Sequence, residues 1–172
     1  MITAFVEKNS VVGEIIEIKD KTELNHMKNS FRLQVGDSLR IVDGEYEYFT
    51  EIIELSKNEM ICKIIEKKED SFSTKVEIHA GIGLLKNDKM ELVIQKLVEV
   101  GVSKIIPVQM QRTIVKINEK KEKWDTIAKE ALKQCQAVKL TEITEPKALK
   151  KIDYSEYDLV LVPYENEVEV KI

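Results

Sequence analysis

The chain has 172 residues, of which 43% are hydrophobic and 34% are charged, and its formal charge at neutral pH is −4. This balance supports packed cores under a polar surface, and it excludes an intrinsically disordered chain. A net negative charge also excludes attraction of the whole surface to nucleic acid, so any such contact must come from a local basic patch. The length suits one large domain or two small ones.

The cysteines and the N-terminus bear on the cellular location. Cys62 and Cys135 lie far apart without metal-ligand spacing, which argues against a disulfide framework and favours a reducing compartment. Residues 1–9 lack an apolar segment flanked by positive charge, and no apolar run approaches the length of a membrane span. We therefore expect a cytoplasmic protein.

The first seventy residues show a pattern of short strands separated by turn residues. Residues 20–29 interrupt this pattern with one or two predicted helical turns, and the Asp43-Gly44 dipeptide predicts a hairpin. The predicted strands cover residues 3–7, 14–18, 38–42, 46–55 and 60–65. Together they predict a small β-barrel domain over residues 1–70. The charge run 66–70, followed by Ser71 and Ser73, is predicted to be the linker to the next domain.

After the linker, strands and helices alternate. Strands are predicted at residues 76–84, 104–108 and 158–163, and helices at 88–100 and 120–137. This alternation predicts a second domain, of residues 74–172, built on a parallel sheet with right-handed crossovers. Apolar residues of the second helix repeat at helical spacing up to Cys135, which we expect to be part of the core.

The segment around the first of these helices carries the strongest local signals. Asp88 and Glu91 have the spacing of a capping box at its start, and Gly101 is placed to end it. Arg112 follows the next strand at its carboxyl end, where open α/β sheets bind ligands. Lys86 and Lys89 lie on the polar side of the helix, where spacing alone favours a solvated face over a binding site.

Other kinds of site lack support. Gly81 and Gly83 followed by Lys86 superficially resemble a dinucleotide loop, but the third glycine is missing and no phosphate-loop motif exists. His26 and His79 are isolated from other ligand types, so we predict no metal site. No Gly-x-Ser-x-Gly elbow supports a hydrolase.

Three segments resemble a known family. Residues 83–117, GLLKNDKMELVIQKLVEVGVSKIIPVQMQRTIVKI, and 122–135, EKWDTIAKEALKQC, are similar to the RsmE family of ribosomal RNA methyltransferases, which belong to the SPOUT class. Residues 24–44, LNHMKNSFRLQVGDSLRIVDG, resemble the PUA-like RNA-binding barrel of that family. The resemblance implies a PUA-like barrel followed by a SPOUT α/β domain.

The resemblance also implies a function. RsmE enzymes act as homodimers, need no metal, and transfer a methyl group from S-adenosylmethionine to N3 of a uridine in small-subunit ribosomal RNA. In this chain the resemblance and the position of Arg112 assign it a catalytic role, and Pro163, Tyr164 and Glu165 are the candidate positions for cofactor contact. The candidate RNA contacts are Arg32, Arg40, Lys86, Lys89, Glu130 and Gln134.

The chain also departs from the family pattern. Family members continue through a Gly-Pro-Glu-Gly-Gly loop and a knotted segment, so we expect a fragment or a shortened form in which the SPOUT domain is incomplete. Gln136 and Ala137 replace a Gly-Arg pair, which removes positive charge where RNA is expected. Two other functions therefore stay open, a catalytically incompetent RNA-binding module and an unrelated α/β enzyme with a small-molecule substrate.

Overall fold

The computed structural model describes residues 1–70, 73–111 and 113–163. The described residues form two sheets, and each sheet has its own hydrophobic core. The predicted combination of a small barrel-like sheet with a parallel α/β sheet is confirmed. In the described part of the chain, no helix has the length and apolar character needed to cross a membrane.

The first sheet contains six strands in the order β1-β4-β5-β6-β3-β2, and it is curled around a core. Neighbouring strands are antiparallel except β1 and β4, which are parallel. Helix α1, Lys21–Asn29, packs on this core through Leu24 and Met27. The strands are β1 Thr3–Phe5, β2 Val11–Val12, β3 Ile15–Ile18, β4 Ser38–Val42, β5 Tyr46–Leu55 and β6 Met60–Glu69.

The turn between β4 and β5 forms as the Asp43-Gly44 pair predicts. Gly44 has a φ of 91°, a conformation that glycine adopts at little cost. The Asp43 carboxylate accepts hydrogen bonds from the backbone N–H groups of Glu45 and Tyr46 and from the Tyr48 hydroxyl. The turn is therefore held by a buried carboxylate as well as by backbone geometry.

The charge run at residues 66–70 is not only a linker, and this part of the prediction is wrong. Strand β6 continues through Glu69, because residues 66–69 pair with the beginning of β5. The Nζ atom of Lys67 lies 3.5 Å from the ring centroid of Tyr46, and that of Lys68 lies 4.7 Å from the ring of Phe49. These cross-strand cation–π contacts stabilise a strand whose charged sequence resembles a linker.

The second sheet is parallel, as the alternation of strands and helices predicts. Strand β8 lies at its centre, with β7 on one side and β9 and β10 pairing with its beginning and its end. Helices α2 and α3 contact each other and bury their apolar faces in the second core. The elements are β7 His79–Gly83, α2 Asn87–Glu99, β8 Lys104–Gln109, α3 Glu122–Cys135, β9 Glu142–Ile143 and β10 Lys147–Ala148.

The predicted strand at residues 158–163 is wrong. These residues have no regular structure, and Leu159 and Val162 expose 71% and 82% of their surfaces. The edge of β8 opposite β7 is instead paired with β9 and β10, two short strands that the sequence pattern does not predict. Strand formation here follows the hydrogen-bond partners available to the backbone, and the apolar content of residues 159–162 does not decide it.

Two local predictions in the helices also fail. Lys86, and not Asp88, is the N-cap of α2, and it makes no side-chain capping bond. Glu91 lies 2.7 Å from Lys123 of α3, so it pairs the two helices and does not complete a capping box. Cys135 is exposed because it lies in the last turn of α3, beyond the buried stripe that ends at Leu132.

Candidate functional site

The carboxyl ends of β7 and β8 bring the predicted lysines to one edge of the parallel sheet. Leu85 and Lys86 follow β7 and lead directly into α2, and Met110 follows β8. Lys86 and Lys89 are exposed, and neither side chain has a hydrogen bond or ion pair with another described residue. Both ammonium groups are therefore available to an external anion.

The N-termini of α2 and α3 lie side by side at this edge. The Nζ atom of Lys121 donates to the Asn87 side-chain oxygen at 3.1 Å, which links the first residue of α2 to the N-cap of α3. The N-cap residues, Lys86 and Lys121, make no side-chain capping hydrogen bond. The unpaired backbone N–H groups of both helices give this edge partial positive charge.

The predicted catalytic and cofactor residues are mostly beyond what the structure describes. Arg112, Tyr164 and Glu165 lie outside the described residues, and Pro163 is exposed at the end of the irregular segment. On either side of position 112, Met110 and Thr113 bond to each other, with their N–H groups donating to Thr113 Oγ1 at 3.0 Å and to Met110 O at 3.2 Å. The roles of these four predicted residues stay predictions.

Arg32 and Arg40 have opposite environments. Arg32 is exposed and has a φ of 53°, whereas Arg40 is only 5% exposed. The Nε atom of Arg40 donates to Glu47 at 2.8 Å, and its Nη2 atom donates to the backbone carbonyl of Gln136 at 2.9 Å. This geometry supports a structural role for Arg40, in which it joins β4 to the end of α3.

A second ionic contact joins the same two parts of the molecule. The Nζ atom of Lys133 lies 2.8 Å from Glu23 of α1 and 2.7 Å from Glu130 of α3. Burial opposes the charge on Lys133, but the hydrogen bonds that its ammonium group donates to these two carboxylates outweigh burial and raise its pKa above the ordinary value. Glu130 pairs with Lys133 within α3 and is itself exposed, as is Gln134.

Apolar contacts complete this junction. Val42, at the end of β4, is fully buried in the core of the second domain, and Phe5 of β1 packs against that core. The Nζ atom of Lys129 lies 5.4 Å from the centroid of the Phe5 ring. Sequence reasoning missed this junction, because its partners are distant in the chain and show no shared local pattern.

Two clefts accompany the junction. One, of about 290 Å³, lies between the first sheet and α3 and is lined by Phe5, Lys19, Glu23 and Lys129 among others. The other, of about 710 Å³, lies at the ends of α2 and α3. Its lining includes Ser103, which precedes β8, and Glu142, which begins β9. This cleft therefore lies at the amino ends of the strands, opposite the edge that carries the exposed lysines.

Family models match both parts of the chain. An RNA methyltransferase domain matches residues 72–171, and an RNA methyltransferase PUA domain matches residues 18–65. The ribosomal RNA small subunit methyltransferase E of Bacillus subtilis (strain 168) is 29% identical over 151 residues, which are 83% of this chain and 59% of that protein. A methyltransferase E 2 of Borreliella burgdorferi is 32% identical over 75% of this chain and 55% of that protein.

Solved structures have the same fold. A putative methyltransferase from Legionella pneumophila in complex with S-adenosylmethionine is 26% identical, with a TM-score of 0.76 over 87% of this chain and 64% of that one. A ribosomal RNA small subunit methyltransferase E from Neisseria gonorrhoeae, at 20% identity, has a TM-score of 0.76 over 90% of this chain and 67% of that one, which shows the fold alone.

The chain spans 59% of the length of its Bacillus subtilis relative. The match of the methyltransferase model covers more than half of the chain, and it agrees with the parallel sheet that follows the barrel-like domain. The resemblance noted in the sequence is thereby confirmed. The chain belongs to the RNA methyltransferase family, with a PUA domain preceding the methyltransferase domain.

Proposed function

We propose that this protein takes part in S-adenosylmethionine-dependent methylation of small-subunit ribosomal RNA at N3 of a uridine, as a cytoplasmic homodimer. The observation that carries this proposal is the match of the RNA methyltransferase model to residues 72–171. The names of the relatives, ribosomal RNA small subunit methyltransferase E, support ribosomal RNA as the substrate. The complex of the Legionella pneumophila neighbour supports the cofactor.

The exposed lysines support the RNA contact. Lys86 and Lys89 carry free ammonium groups next to the uncapped N-terminus of α2, and both features attract phosphate. Phosphate contacts of this kind orient the nucleic acid without selecting a base. Selection of uridine therefore needs further groups at the carboxyl edge of the sheet, and Arg112 is the candidate.

The chemistry of N3 methylation requires loss of the N3 proton and an aligned methyl donor. A guanidinium near the two carbonyl oxygens that flank N3 stabilises the anion formed there, which is the role we propose for Arg112. Correct alignment of the base supplies much of the remaining rate enhancement.

The described residues do not by themselves fit S-adenosylmethionine. Leu85, Met110 and Leu149 near the carboxyl edge expose 37%, 46% and 48% of their surfaces, so these residues give an open wall. Small-molecule sites normally bury most of the ligand surface. Both clefts noted above lie elsewhere, and the candidate contacts Tyr164 and Glu165 are outside the described residues.

This open edge favours a second candidate function, an RNA-binding module without catalysis. Methyl transfer from radiolabelled S-adenosylmethionine to unmethylated small ribosomal subunits distinguishes the two. If the proposal is correct, the protein labels the RNA at uridine N3, and Arg112→Ala lowers the rate at least tenfold, or about 1.4 kcal/mol of transition-state stabilisation.

Lys57→Ala, in the turn between β5 and β6, serves as the control and should leave the rate unchanged. RNA binding without any labelling would support the module and refute catalysis. Labelling that Arg112→Ala leaves intact would keep the enzyme but remove Arg112 from its site.

A further inference from the structure

The loop after α1 presents Phe31 and Arg32 from a fixed turn. The backbone N–H of Ser30 donates to His26 O at 3.0 Å, and that of Leu33 donates to Met27 O at 3.3 Å. Met27 and Leu33 are buried in the core of the first domain, so both ends of this short turn are anchored. Phe31 and Arg32, which lie between Ser30 and Leu33, therefore project from a position that the core determines.

Phe31 forms an exposed aromatic pair. Its ring centroid lies 4.8 Å from that of His26 at an interplanar angle of 84°, and the Ser30 hydroxyl lies 3.3 Å from His26 Nδ1. An edge-to-face contact occupies only one face of one ring, and Phe31 still exposes 44% of its surface. A held but uncovered aromatic ring provides a stacking surface at little entropic cost.

Arg32 provides a cation beside this ring. Its φ of 53° is a left-handed conformation that costs a residue with a side chain about 1–2 kcal/mol relative to glycine. Its guanidinium is exposed and has no hydrogen bond or ion pair with any residue in the described part of the chain. The anchored ends of the turn hold this strained conformation, and strained residues that present an exposed, free side chain are concentrated at binding sites.

We propose that His26, Phe31 and Arg32 form a platform for one unpaired RNA base, which stacks on Phe31 while Arg32 contacts its phosphate or the base plane. The platform lies within residues 18–65, which match the RNA methyltransferase PUA domain. Aromatic side chains and arginine planes stack on splayed bases of single strands and loops, and paired bases are not available for such stacking. This inference rests on the RNA partner of the proposed function.

Fluorescence anisotropy of the 172-residue chain with a labelled oligouridylate of about 12 nucleotides tests the platform. Phe31→Leu keeps the apolar character but removes the ring, so we expect roughly 5- to 150-fold weaker binding with an unchanged salt dependence. Arg32→Ala should weaken binding and lower the salt slope by about one phosphate contact. Val35→Ala, at a neighbouring exposed aliphatic residue, is the matched control and should bind as wild type does.

Phe31→Trp gives a direct optical readout. This variant should bind as tightly as wild type, and RNA should quench its emission, whereas the native Trp124 is 2% exposed and should not respond in the wild-type chain. Wild-type affinity in Phe31→Leu, or an equal loss of binding to a fully paired duplex, would refute the platform while leaving the proposed function intact. Absence of RNA binding by the wild-type chain would overturn the RNA contact and the platform together.

Discussion

Asp43 shows how a single buried carboxylate gives the fold a pH dependence. Burial by itself raises its pKa, but hydrogen bonds from the N–H groups of Tyr46 and Glu45 and from the Tyr48 hydroxyl outweigh burial, and the pKa lies below its ordinary value of 3.8. A carboxylate with a lowered folded-state pKa stabilises the fold above its unfolded-state pKa. That contribution is lost as the pH falls through the folded-state pKa.

We therefore expect Asp43→Asn to flatten the acid limb of the stability curve. Urea unfolding between about pH 6 and pH 2 should show the wild-type free energy of unfolding decreasing with pH more steeply than that of the variant. At neutral pH the variant should be less stable by about 1–3 kcal/mol, since charged hydrogen bonds are lost. Asp158→Asn, at an exposed carboxylate, is the control; parallel curves for Asp43→Asn and wild type would contradict this explanation.

Gln136 is a second residue with a measurable effect on stability, in this case through its backbone conformation. It is the C-cap of α3, with a φ of 59°, at the position where the family pattern has glycine. Gln136→Gly should remove about 1–2 kcal/mol of strain from the folded state. It should also raise the entropy of the unfolded state, which lowers the free energy of unfolding by about 0.4–1 kcal/mol. The net expectation is a gain in the free energy of unfolding of about 0.5–1 kcal/mol, measured by urea denaturation.

The control for this prediction lies two residues earlier. Gln134→Gly, inside α3, should destabilise the chain by about 0.5–1 kcal/mol, because glycine is unfavourable within a helix. If Gln136→Gly were destabilising to the same extent, the left-handed conformation would not be the source of the strain.

At the scale of elements, the helices were predictable and the strand ends were not. The apolar period placed α2 and α3 within two residues of their observed ends, because each buries a continuous stripe. The extension of β6 depends on cross-strand partners in β5, and no local pattern contains that information. The strand predicted at residues 158–163 shows the same limit. Ile143 of the observed strand β9 is buried although its neighbours in the chain are polar, whereas the apolar residues 159–162 are exposed.

The candidate site also contains residues whose environment the sequence predicts and residues whose environment it cannot predict. The exposure of Lys86 and Lys89 follows from their place on the polar face of α2, and sequence alone predicts it. The burial of Arg40 could not be predicted, because its partners are Glu47 on the next strand and the Gln136 carbonyl in the other domain. Side chains whose environment is set by distant contacts need the tertiary structure before they can be assigned.

At the scale of the whole molecule, the contacts at the junction hold the two domains in one arrangement. Val42 and Phe5 extend the second core into the first domain, and the Arg40 bond to the end of α3 adds a buried polar link. Arg40 also interacts favourably with the negative end of the α3 dipole. A fixed junction of this kind would hold the proposed base platform at a constant distance from Lys86 and Lys89.

We expect this junction to couple the unfolding of the two domains, with Arg40 as its polar centre. In wild type, Trp124 fluorescence, which reports on the second core, and far-UV circular dichroism, which reports on both domains, should follow one urea transition. Replacing both Arg40 and Glu47 with Leu removes the buried ion pair without leaving an unpaired charge. The barrel-like domain should then stay folded, but the two probes should give separate transitions because the link to α3 is lost.

A matched control is the exchange of Lys104 and Glu142 for Leu, because this ion pair, 3.0 Å long, joins neighbouring strands within the second domain. It should shift the Trp124 transition only slightly, since Glu142 is exposed and Lys104 is partly exposed, and it should leave the two probes coincident. Coincident transitions in the Arg40 and Glu47 double variant as well would show that the apolar contacts alone couple the domains. The buried arginine would then stabilise its own sheet and contribute nothing to the alignment of the two proposed RNA-binding surfaces.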